Sequence, residues 1–81
     1  MPDYVKKLSP AETRCVILCG RDRLTFAEAA RKLKRNPATV RNAVGGAIAK
    51  TFSRYPEAAY KIALANNLLD PGAVAFIDSL E

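Results

Sequence analysis

Apolar residues recur along most of this chain at the three- and four-residue spacings of a helix face, and almost nowhere with strand-like alternation, which predicts an all-α fold. The first element opens at Ser9-Pro10-Ala11-Glu12, where a capping hydroxyl, a proline at the first helical position and a glutamate at the third make a capping box. That helix is predicted to run to about Cys19, with Gly20 as its C-cap. Its apolar positions, Ala11, Cys15, Val16, Leu18 and Cys19, wrap more than one stripe, so it should be the central support on which the next two helices pack. Arg21-Asp22-Arg23 is a loop, and Thr25 with Glu28 repeats the capping box, starting a helix at Phe26 that buries Phe26, Ala29, Ala30 and Leu33. After a tight basic turn, Asn36 caps a third helix with Pro37 at its first position. Val40, Val44, Ala47 and Ile48 face inward, and Ala38, Thr39, Arg41, Asn42 and Gly45 form a small, hydrogen-bonding face opposite them.

The chain breaks at Arg54-Tyr55-Pro56-Glu57, because a proline disfavours helix at the residue before it. A fourth helix then carries Ala59, Tyr60, Ile62, Ala63 and Leu64 to a cap at Asn66-Asn67. Asp70-Pro71 opens a last helix with Val74, Ala75, Phe76, Ile77 and Leu80. Two outcomes are open for its apolar stripe: with Ile62, the residues Val74, Phe76, Ile77 and Leu80 join two copies in a homodimer, or they complete the core of one copy.

At 81 residues the chain makes one domain, divided into a unit over 9–54 and a C-terminal helical segment over 56–81. Charge separates these two parts. Residues 21–54 hold nine basic side chains (Arg21, Arg23, Arg31, Lys32, Lys34, Arg35, Arg41, Lys50, Arg54) against Asp22 and Glu28, a balance of +7. Residues 55–81 hold Lys61 against Glu57, Asp70, Asp78 and Glu81, a balance of −3. Concentrated positive charge gains affinity for a phosphate backbone by releasing condensed counterions. Lys6 and Lys7 lie in an N-terminal stretch that is either a phosphate-touching arm or a frayed end.

Other chemistries find little support. The chain has no His, so Cys15 and Cys19 cannot complete a zinc shell, and four apart on one helix they read as buried free thiols. No nucleophile has its usual base, and Gly45-Gly46 is not a phosphate-binding loop; the pair reads as close helix approach, a weak point in the helix, or a place where backbone nears DNA. Neither a membrane span nor a signal-peptide apolar run is present, so the expectation is a cytoplasmic protein, not an enzyme, with no cofactor, metal or small-molecule substrate.

Residues 8–52 resemble the DNA-binding domain at the C-terminus of bacterial sigma factors (region 4) and its relatives in LuxR-type regulators. The likeness lies in Leu8-Ser9-Pro10-x-Glu12, in Leu24-Thr25-Phe26-x-Glu28-x-Ala30-x-x-Leu33, and in Thr39-Val40-Arg41-Asn42 followed by Val44, Ala47 and Ile48. Where the turn usually carries glycine and then an apolar residue, this chain has Lys34 and Arg35, which puts Lys34 in a left-handed conformation or rebuilds the turn. Val40-Arg41-Asn42-Ala43-Val44 is also similar to small plasmid-borne repressors of the TrfB/KorA kind, which add a C-terminal dimerisation segment. The resemblance implies a compact transcriptional repressor of bacterial, phage or plasmid origin.

The expected function is therefore a dimeric, sequence-specific regulator of double-stranded DNA using a helix-turn-helix. Ala38, Thr39, Arg41, Asn42 and Gly45 read bases, while Thr25, Arg31, Lys32, Lys34, Arg35, Asn36, Lys50 and Arg54 hold phosphates. The alternatives are a sigma-like interaction protein that contacts RNA polymerase and the DNA-binding module of a phage packaging or recombination assembly.

Overall fold

A computed structural model describes residues 6–80, and every regular element among them is helical: α1 (Pro10–Val16), α2 (Phe26–Leu33), α3 (Pro37–Thr51), α4 (Pro56–Ala65) and α5 (Pro71–Ser79). Residues 1–5 of the candidate N-terminal arm lie outside the described residues. The capping box at Ser9 forms, with the Glu12 N–H donating to Ser9 Oγ at 3.1 Å and the Ser9 N–H to Glu12 Oε1 at 2.8 Å.

Beyond Val16 the helix differs from expectation. It widens into a π-helical turn, Ile17–Arg21, closed by the Asp22 N–H on Ile17 O at 3.2 Å. Residues 15–20 are all buried, so this segment is the central support, packed by the other helices from several sides. Gly20 is not a C-cap, since its φ is not positive; the stop falls at Arg23, φ 58°, where the Leu24 N–H reaches Leu18 O at 3.0 Å. Gly20 serves a close approach instead. A Cβ there would lie 2.6 Å from Pro56 O and 2.8 Å from Tyr60 Cβ, so only glycine lets α4 start against the π turn.

Alanines make many of the remaining contacts. Ala29 and Ala30 of α2, Ala47 of α3, Ala59 and Ala63 of α4 and Ala73 of α5 are all buried, which lets short helices close onto the larger Val16, Ile17 and Leu18. The Cα radius of gyration, 11.4 Å, matches the ~12 Å of a packed domain of this length. No helix among the described residues is long and apolar enough to cross a membrane.

The last helix folds back on the first. Asp70 caps α5 by accepting the Ala73 N–H at 2.9 Å, and its own N–H donates to the buried Thr13 Oγ1 at 3.0 Å. The apolar stripe of α5 thus meets the core: Ile77 is 1% exposed, and Val74 packs on the same cluster. Ile77 is therefore not available to a second copy. Ile62 is half-buried, and Phe76 and Leu80 remain exposed.

Candidate nucleic-acid interface

Local chemistry sets the direction of α2. Thr25 Oγ1 accepts the Glu28 N–H at 3.1 Å, and Glu28 Oε1 accepts the Thr25 N–H at 2.9 Å, a bond that holds the Glu28 carboxyl below its ordinary pKa. At the other end Lys34 takes the left-handed conformation, φ 56° and ψ 47°. The Lys34 N–H then meets Arg31 O at 3.3 Å and the Arg35 N–H meets Ala30 O at 2.9 Å, the two bonds of a Schellman stop. Asn36 Oδ1 accepts the Ala38 N–H at 2.8 Å and launches α3 behind Pro37. Three residues thus turn the chain between α2 and α3.

Along α3, Val40, Val44 and Ala47 face the core, while Ala38, Arg41, Asn42 and Gly45 lie in one exposed row at helical spacing. Thr39 is exposed on the flank, where it joins Arg35, Arg14, Leu33 and Phe76 around a hollow of about 200 Å³. Thr39 therefore sits apart from the row of four. The glycine pair divides: Gly45 has open space around it, whereas a Cβ on Gly46 would collide with the Glu12 carboxylate.

That carboxylate occupies Lys50. Lys50 Nζ lies 2.7 Å from Glu12 Oε1, so Lys50, assigned to phosphate from the sequence, ties α3 to α1. Burial pushes the Glu12 carboxyl up, but the hydrogen bonds from Lys50 and Ser9 and the ammonium charge outweigh it, and its pKa is lowered.

The other acidic groups among the described residues are also engaged. Asp22 and Asp78 hold Arg21; Glu57 holds Arg23 and Lys61; Glu28 and Asp70 cap helices. Lys32, Lys34, Arg35, Arg41 and Arg54 are exposed and form no salt bridge among the described residues; Arg31 is exposed too, and its charge helps to hold the Glu28 carboxyl down. All but Arg54 gather on the end of α2, the turn and the first half of α3. Arg54 lies beyond the far end of α3, a helix roughly 22 Å long by its 15 residues.

Sequence reasoning missed Phe26. Expected on the buried face of α2, it is 36% exposed and lines a shallow depression with Pro37, Ala38 and Arg41. A side chain in the first helical turn leans back past the end of the helix, so it can escape the face that spacing alone assigns to it.

Cys15 and Cys19 are buried free thiols; burial pushes Cys19 up to about 11, with Cys15 adding to it. Comparisons with protein-family models, with curated proteins and with solved structures find no match to this chain.

Proposed function

We propose that this chain is a sequence-specific regulator that binds double-stranded DNA by laying α3 in the major groove. One observation carries the reading: Arg31, Lys32, Lys34 and Arg35, none of them in a salt bridge, lie beside the exposed row of Ala38, Arg41, Asn42 and Gly45, while every acidic group among the described residues is engaged in an ion pair or a cap. In this reading Arg31, Lys32, Lys34 and Arg35 hold phosphates on one flank, with Arg54 at the far end. Arg41 forks onto a guanine, Asn42 pairs with an adenine, and Ala38 and Gly45 allow close approach. Thr25 and Asn36 add backbone contacts from the helix N-termini.

Repression follows if the bound site overlaps a promoter. Pairing of two copies, the other part of the reading, rests on the exposed Phe76 and Leu80 and no longer on Ile77. Sedimentation at micromolar concentration distinguishes dimer from monomer.

The test of DNA binding is fluorescence anisotropy on duplexes between about 50 and 200 mM salt, where five phosphate contacts give a log–log slope of about −4 to −5. A flat response, or no binding at the lowest salt, would overturn the reading. On a site selected from a random pool, Arg41→Ala and Asn42→Ala should each cost about 1–3 kcal/mol, with Asn42→Ala nearly neutral on unrelated sequences.

A further inference from the structure

The depression beside Arg41 has a lining that suits one kind of chemical group. The side chains of Phe26, Pro37 and Ala38 are hydrocarbon, and that of Arg41 alone carries polar atoms. Its space, about 170 Å³, is several times the roughly 30 Å³ share of a water-sized group. It opens at the N-terminal end of the exposed row of α3, with the Arg41 guanidinium in its lining and the basic turn of Lys34 and Arg35 just before Pro37 in the chain. Positive surroundings select a polyanion, and an apolar floor within them selects the apolar part of that polyanion. On the major-groove edge of B-DNA that part is the 5-methyl group of thymine.

We infer that this depression takes a thymine methyl, so that the preferred site carries a thymine at the step next to the guanine gripped by Arg41. The inference rests on the DNA-binding reading. Phe26 arrives from the first residue of α2 and Pro37 and Ala38 from the first two of α3, so the turn between the helices sets the shape of the depression. Specificity at this step therefore depends on both helices, although α3 alone carries the hydrogen-bonding readers.

The test uses the full chain and its selected duplex, with each thymine in turn replaced by deoxyuridine, which removes the methyl and keeps the hydrogen-bonding edge. At one thymine, flanking the guanine whose replacement is felt less by Arg41→Ala, affinity should fall about fourfold, the worth of one buried methyl group. The difference between thymine and uracil should vanish in Phe26→Ala and shrink in Ala38→Ser, which adds a hydroxyl at an exposed position. Should Phe26→Ala lose its helical circular dichroism, Ala38→Ser decides. Tight, sequence-specific binding that ignores uracil at every position would overturn the inference and leave the DNA reading standing. So would a uracil effect that persists unchanged in Ala38→Ser. Absence of any duplex binding at low salt would instead overturn the DNA reading, and this inference with it.

Discussion

The hydroxyl of Thr13, fully buried in α1, accepts the backbone N–H of Asp70 at 3.0 Å, and so fixes the start of α5 to the first helix of the chain. Thr13→Val keeps the shape and removes the acceptor, leaving the Asp70 N–H unpaired. The expected cost is about 1–3 kcal/mol in urea unfolding. Thr13→Ser, which keeps the oxygen, should cost less than Thr13→Val; the reverse order would mean that the methyl group, not the bond, holds α5 in place.

Two glycines should respond in opposite senses. Gly20→Ala drives a methyl group into the Pro56 carbonyl and should destabilise by about 1–3 kcal/mol, because backbone must move to admit it. Gly45→Ala meets nothing and should stabilise α3 by about 0.5–1 kcal/mol. If α3 lies in the groove as proposed, the same variant binds duplex DNA more weakly than the wild type. Paired unfolding and anisotropy measurements read both effects.

Lys34 places a lysine where the backbone favours glycine. Lys34→Gly should raise stability by about 1 kcal/mol and at the same time lower the salt slope of DNA binding by about one unit. A gain in stability with an unchanged slope would remove Lys34 from the phosphate contacts.

Acid should loosen the link between α1 and α3. A carboxylate with a depressed native pKa contributes stability above its unfolded-state value and loses it as pH falls through the native one. Glu12 is lowered in this way, as are Glu28 and Glu57. The urea midpoint should therefore fall as the pH drops below the ordinary glutamate value of about 4.5. Glu12→Gln should start from a lower midpoint at neutral pH and fall less steeply.

Helix starts were legible because each is written within three or four residues: Ser9 with Glu12, Thr25 with Glu28, Asn36 with Pro37, Asp70 with Pro71. What the sequence hid depends on distant partners. The close approach at Gly20 comes from Pro56 and Tyr60, and the engagement of Lys50 comes from Glu12, 38 residues away. Spacing marked Val74 and Ile77 as apolar but could not say whether a second copy or α1 would cover them. In the candidate interface the row Ala38, Arg41, Asn42 and Gly45 followed from helical period, whereas the exposure of Phe26 required the end of α2 to be seen beside the start of α3.

Arg23, Lys34, Phe52 and Asn67 all hold left-handed backbone among the described residues, and no glycine does. The chain thereby forgoes thermal tolerance at four places. Asn67 lies outside both the proposed interface and the ion pairs among the described residues, so glycine there should lift the melting temperature by several degrees, at the 4–8 °C per kcal/mol typical of domains this small. Such a background would let costly interface variants stay folded, separating loss of recognition from loss of the fold.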